Sequence, residues 1–198
     1  MEKQDERHLI EQAKTGNGLA FDELTRRYLE KAYSLAYQML SHPDDARDLV
    51  QDAFLEVYRT LDRFNTQYRF STWLYRILIN KCINHRKRET RRRMLSLSDL
   101  LSHRENGEAT ALSVDLRAHP KTPHDLLEQD ELQRAIADAL NALSERHRTV
   151  VVLFDLEGFS HKQIAEILRC PEGTVMSRLH HGRLKLKSLL SKRLKGYF

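Results

Sequence analysis

The chain has 198 residues, of which 33 are Lys or Arg, 28 are Asp or Glu and 40% are hydrophobic. No run of about eighteen apolar residues occurs, which excludes a membrane-spanning helix and direct membrane insertion. The charged start MEKQDERHLI lacks the apolar core of a secretory signal. Two widely separated cysteines, Cys82 and Cys170, are expected to be reduced thiols of a cytoplasmic protein rather than a staple.

The net charge is +5, but it is unevenly spread. Residues 81–93 carry seven Lys or Arg and one Glu, and residues 176–195 carry seven and no acid, so the remainder is net acidic. Two basic stretches, each continuing an amphipathic helix, point to two places that meet a polyanion, nucleic acid above all. A pair of solvated helix ends is the plainer alternative.

Helical periodicity runs almost unbroken from Arg7 to Arg93. In SHPDDARDLVQDAFLEVYRTLDRF, Ser41 with Asp44 three residues on has the capping-box arrangement. Asp44 and Asp45 then suit the helix dipole. Ala46, Leu49, Val50, Ala53, Phe54, Val57, Tyr58 and Leu61 form a core-facing stripe. The opposite face carries Arg47, Asp48, Gln51, Asp52, Leu55, Glu56 and Arg59. Leu55, ringed by acids and Gln51, reads as a protein-docking spot or as a stray exposed leucine.

The turn RFNTQYRF leads into STWLYRILINKCINHRKRETRRR, aromatic at its start and basic at its end. Trp73, Ile77 and the Cys82–Ile83 region suit the core. Arg76, Asn80, Asn84 and Lys87 share another face at i, i+4, i+8 and i+11, a stripe able to hydrogen-bond phosphates and base edges. Tyr68 and Phe70, in a polar loop, read equally as core or as platforms for unpaired bases.

From Leu95 to Thr122 the pattern breaks down into Ser, Gly, Asn and two prolines, a flexible linker with room for a short helical piece. The expected units are therefore residues 7–94 and 123–198, joined by 95–122, and the fold all-α. The run of apolar residues from Val150 to Phe154 is read as buried helix. Ser160 with Gln163 forms a second capping box, RCP makes a turn, and a longer basic helix follows, the helix-turn-helix pattern.

On a wheel of about 100° per residue, Leu179, Gly182 and Leu186 fall within about 40° of Val175 and face inward. Gly173, Ser177, His180, His181 and Leu184 face outward, flanked by Met176, Arg183 and Lys187. That outer face suits a major groove, with Thr174 and the helix start available to phosphate. Adjacent histidines on a helix point about 100° apart, and no further ligand is spaced to complete a site, so no metal and no cofactor is expected.

AFDELTRRYLEKAYSLAYQML, DARDLVQDAFLEVYRTLDRF, FSTWLYRILINKCINHRKR and LSERHRTVVVLFDLEGFSHKQIAEILRCPEGTVMSRLHHGRLKLK together resemble a bacterial RNA polymerase sigma factor of the extracytoplasmic-function (ECF) group. The resemblance covers nearly all of the chain outside the linker, with the blocks in family order. It implies a region 2 helical bundle and a region 4 helix-turn-helix, with core RNA polymerase and promoter DNA as partners and an anti-sigma factor as regulator. It assigns Asp48, Gln51, Asp52, Leu55 and Glu56 to polymerase docking. It assigns Asn65, Tyr68, Phe70, Arg76, Asn80, Asn84 and Lys87 to the minus-ten element, where a base leaves the stack at a cost of a few kcal/mol. The minus-thirty-five element falls to Gly173, Thr174, Met176, Ser177, Arg178, His180, His181 and Arg183.

Members of the family often carry Arg where this chain has Met176 and His181. Arginine reads guanine through two hydrogen bonds, worth about 1–3 kcal/mol of discrimination, so the usual minus-thirty-five sequence is not assumed. No catalytic residue and no small-molecule substrate is implied. Two rival readings are a helix-turn-helix regulator acting without polymerase and a metal-dependent nuclease using Asp44, Asp45, Asp48 and Asp52. The first leaves the acidic face and the basic stretch at residues 81–93 unexplained.

Overall fold

The computed structural model describes residues 2–100 and 123–193. The described residues form α1 (Glu2–Lys14), α2 (Gly18–Leu40), α3 (Pro43–Thr60), α4 (Phe70–Leu100), α5 (Pro123–Asn141), α6 (Glu145–Val151), α7 (His161–Leu168) and α8 (Glu172–Arg193), with no strand among them. A 3-10 turn, Leu61–Arg63, follows α3. Helix α4 runs to Leu100, past the expected start of the linker at 95. The rest of that stretch, 101–122, lies outside the described residues.

The ends of the helices follow from their capping residues. Asn17 Oδ1 accepts from the N–H groups of Leu19 and Ala20 at 3.1 and 3.3 Å, starting α2. Ser41 does not cap α3. It closes α2 in the left-handed conformation, φ 58°, with its N–H donating to Tyr37 O at 2.7 Å. His42 takes the N-cap of α3 instead, and Pro43 fills the first helical position, where a missing N–H costs nothing. Asp44 and Asp45 occupy the first turn, as expected.

Ala46, Val50, Ala53, Phe54, Val57 and Leu61 are buried as the stripe predicts. Leu49 is half-buried. Tyr58 departs from the stripe: it is 50% exposed and meets Phe21 edge-on at 4.9 Å. Leu24, Leu35, Met39, Leu74, Tyr75, Leu78 and Ile79 complete the first core. Trp73, Ile77 and Ile83 pack against it, and Cys82 is fully buried.

In the second half, Val150, Val151, Val152 and Leu153 are buried, with Ile164, Ile167, Val175 and Leu179 around them. The chain leaves α6 through a π-type turn, Val152–Leu156. Helix α7 starts with the predicted capping box: Gln163 N donates to Ser160 Oγ at 3.3 Å, and Ser160 N donates to Gln163 Oε1 at 2.9 Å. Arg169, φ 51°, ends α7 and turns the chain into α8.

The two halves pack on each other. Tyr75 meets Phe159 edge-on at 5.1 Å. Ser34 Oγ donates to Glu157 Oε1 at 2.7 Å, and Lys31 Nζ donates to Glu157 O at 3.0 Å. Arg86 donates to Glu145 Oε2, Asn141 Oδ1 and Met39 O at 3.2, 3.0 and 3.0 Å.

Candidate nucleic-acid interface

The loop between the 3-10 turn and α4 borders a cavity of about 640 Å³. Phe64 and Trp73 stack beneath it, and Tyr68 stands out from it, 70% exposed. Asn65 shapes the turn: its Oδ1 accepts from Gln67 N at 2.9 Å, and its carbonyl accepts from Tyr68 N at 3.1 Å. Phe70 does not line the cavity. It is 1% exposed, packed against Phe64, Trp73 and Tyr28, and is unavailable to a base. Arg63 and Arg69 also line the cavity. The positive charge within RFNTQYRF was the sequence signal for them.

The α4 stripe divides between two surfaces. Asn84 lines a cavity shared with Asp52 and Glu56 of α3. Lys87 lines one shared with α6 and α8, and Arg76 and Asn80 border both. The cause is geometric: eight residues on an α-helix leave Asn84 about 80° from Arg76, whereas eleven bring Lys87 back to about 20°. Arg76 is committed to the other half, donating through Nε to Ile167 O at 3.3 Å and through Nη2 to Glu166 O at 2.7 Å. Burial holds its pKa below the usual guanidinium value, and the neighbouring Arg169 charge adds to this.

The docking residues of α3 are all exposed but do not share one groove. Gln51 and Leu55 line a largely apolar groove of about 850 Å³ with Phe21, Leu29, Tyr33 and Tyr58. Asp52 and Glu56 face α4, where Glu56 pairs with Lys81 at 2.8 Å. The contribution of α2 escaped the sequence reading, although Leu29, 47% exposed, lies off the buried stripe of its own helix.

On α8, Val175, Leu179 and Gly182 are buried and Leu186 is half-buried. Gly173, Met176, Ser177, His180, His181 and Leu184 are exposed, the division the wheel predicts. Thr174 and Arg178 are half-buried. The Thr174 N–H already donates to Pro171 O at 2.9 Å, which leaves its hydroxyl as the group available to a phosphate. Arg183 is held by Asp155 and lies over the Phe154 ring, 5.1 Å from its centre. The hydrogen bond to Asp155 raises its pKa, so it stays cationic. Among the described residues no group of three or more His, Cys, Asp or Glu is placed to hold a metal ion.

An all-helical chain with an exposed aromatic loop beside a basic helix in one half, and a helix-turn-helix in the other, is a two-part DNA-binding protein. Comparison with known proteins narrows that class. Residues 24–92 match sigma-70 region 2, and residues 133–186 match sigma-70 region 4. The chain is 35% identical over 175 residues to an ECF RNA polymerase sigma-E factor of Haemophilus influenzae, covering 88% of this chain and 89% of that one. The solved structure of CnrH in complex with the cytosolic domain of CnrY matches with a TM-score of 0.66 and 28% identity, covering 95% and 98% of the two chains. The sigma factor RpoE of Bartonella quintana, solved with the anti-sigma factor NepR, shares the fold with a TM-score of 0.63 and 24% identity over 86% and 96%. The chain belongs to the ECF group of sigma-70 factors. It is an alternative sigma factor that binds core RNA polymerase and directs promoter-specific initiation.

Proposed function

We propose that the three surfaces divide that work. The α2–α3 groove with Gln51 and Leu55, and the acidic edge of α3 at Asp48, Asp52 and Glu56, dock on core polymerase. The loop cavity takes a base flipped out of the minus-ten element, with Tyr68 as its stacking platform and Asn65 setting the loop. Arg76, Asn80, Asn84 and Lys87 track the adjoining strand. The outer face of α8, from Gly173 to His181, enters the minus-thirty-five duplex, with Arg178 and Arg183 at its flanks. Met176 and His181 stand on that face where a paired reading of guanine by arginine is absent. None of these steps involves covalent chemistry, so no residue is given a catalytic role.

The observation that carries this reading is the pairing of an exposed aromatic at a loop cavity with an adjoining basic helix. One element suits single strands and the other suits phosphates. Reading DNA with Arg76 requires its two bonds to α7 to break, so the halves must part on the promoter. Control by an anti-sigma factor fits the solved neighbours, each of which is held by a second protein. Partnership with polymerase and DNA fits a cytoplasmic protein, and no described helix is long and apolar enough to cross a membrane.

Run-off transcription with core polymerase over a promoter library tests the reading. Initiation confined to a subset of upstream sequences is the expected result. Tight, specific duplex binding by the chain alone, with no initiation, would favour a polymerase-independent regulator.

A further inference from the structure

The junction of the two halves borders a cavity of about 430 Å³ whose lining is strongly cationic. Arg76 and Lys87 line it from α4, and Arg146, Arg169 and Arg178 from the other half. Lys87, Arg146, Arg169 and Arg178 have no ion-pair partner among the described residues, and Arg76 bonds only backbone carbonyls. The one acid in the lining, Glu145, is already bound to Arg86 at 3.2 Å. Burial also pushes the Glu145 carboxyl up towards its neutral form.

Closing the halves therefore sets cations of α4 against cations of α6, of the α7–α8 turn and of α8. Among the described residues Glu166 beside Arg76 and Glu145 beside Lys87 offset only part of that repulsion. Arginine forks bind phosphate oxygens in pairs, and the volume lies within the range of small-ligand pockets, about 300–1,000 Å³.

We propose that this cavity binds a small linear polyphosphate, inorganic or nucleoside-linked, and that the bound anion holds the two halves together. The site shares Arg76, Lys87 and Arg178 with promoter reading, so the two ligands compete for them.

The test is calorimetric titration of the full chain with inorganic triphosphate and, in parallel, with ATP. One site per chain is expected. Arg146→Ala, an exposed residue outside the promoter and polymerase surfaces, weakens binding at least tenfold. Lys185→Ala, on α8 outside the cavity, leaves it unchanged. Glu157→Lys separates the halves by placing a cation beside Lys31, so it weakens binding at least tenfold although it adds positive charge. Glu157→Ala does the same more mildly if the Lys variant unfolds. Equal affinities for the two probes assign recognition to the phosphates, and tighter ATP binding adds a nucleoside contact. No binding, several weak equivalents, or tighter binding by Glu157→Lys would each overturn the proposal. Transcription does not enter the readout, so failure here leaves the sigma-factor assignment standing.

Discussion

The Phe64 and Trp73 rings stack with centroids 4.8 Å apart and planes 25° from parallel, and Phe70 meets both edge-on at 5.8 and 5.9 Å. This aromatic floor supports the loop that presents Tyr68. The two loop aromatics should therefore separate cleanly on mutation. Phe70→Ala empties a packed site and costs about 3–5 kcal/mol of stability, seen as a lowered unfolding midpoint. Tyr68→Ala leaves the midpoint unchanged. It weakens holoenzyme binding to single-stranded minus-ten DNA about 5- to 150-fold, the loss of one stacking contact.

That pair also shows what the sequence carries. Tyr68 and Phe70 sit two apart in the same polar loop, and nothing local distinguishes them. Packing against Phe64 and Tyr28 decides which one is core. Periodicity sufficed for most of α3 and for α8, and missed at Tyr58, which the stripe placed in the core and the structure leaves half exposed. It failed at Ser41, because one short joint has to close α2 and open α3, and the motif does not say which end takes the serine. The contacts between halves were illegible for a different reason. Arg76 reaches backbone carbonyls of α7, which have no sequence signature, and Arg86 reaches the side chains of Glu145 and Asn141 far along the chain.

Docking on polymerase is tested on the exposed side of α3. Leu55 is 45% exposed in the apolar groove, and Asp52 is exposed on the α4 side. Asp52→Arg and Leu55→Asp should each weaken binding to core enzyme at least about tenfold, or about 1.4 kcal/mol. Neither removes a buried contact, so thermal stability should move by no more than about 0.5 kcal/mol. Unchanged co-purification with core enzyme would remove the docking role.

Arg148 is the largest fully buried polar side chain, 1% exposed, and it closes α5 onto α6. Its Nε donates to Leu140 O at 2.6 Å, and its Nη2 donates to Asn141 O and Leu143 O at 2.5 and 3.2 Å. Arg148→Met fills a similar volume but strands carbonyls at the end of α5, each unsatisfied acceptor costing about 1–3 kcal/mol. A loss of at least about 3 kcal/mol in urea unfolding is expected from that deletion. Arg148→Lys should fall between, since an ammonium lacks the planar fork that reaches several carbonyls.

The two thiols should behave differently. Burial, with Glu145 adding to it, pushes the Cys82 pKa up to about 12, whereas Cys170 is partly exposed. One thiol per native chain should react with an aromatic disulfide reagent at pH 8, and two after denaturation. An unfolded thiol ionises near 8.5, so above that pH the unfolded state sheds a proton that the folded state keeps. Stability should therefore fall as pH rises towards 12, by about 1.4 kcal/mol per unit from this group. Urea midpoints at pH 8, 9.5 and 10.5 should converge between the parent chain and Cys82→Ala as pH rises, since the variant lacks this loss.

Gly182 marks the point where α8 crosses α6. A Cβ placed there would lie 2.8 Å from Val151 Cγ2 and 3.4 Å from His147 Cβ. Val151 is 1% exposed and β-branched, so it has no free rotamer to retreat into. Alanine in place of glycine improves helix propensity by about 1 kcal/mol, and overpacking a tight core costs about 1–3 kcal/mol. The second effect should win, so Gly182→Ala lowers the unfolding midpoint and Gly182→Leu lowers it further. Relief of the clash pushes α8 away from α6 and carries Ser177, His180 and His181 with it. Affinity of the holoenzyme for minus-thirty-five duplex should therefore drop in step with stability, while binding to core enzyme through α3 is unaffected. A raised midpoint for Gly182→Ala would mean that propensity dominates and that the α6–α8 crossing yields without cost.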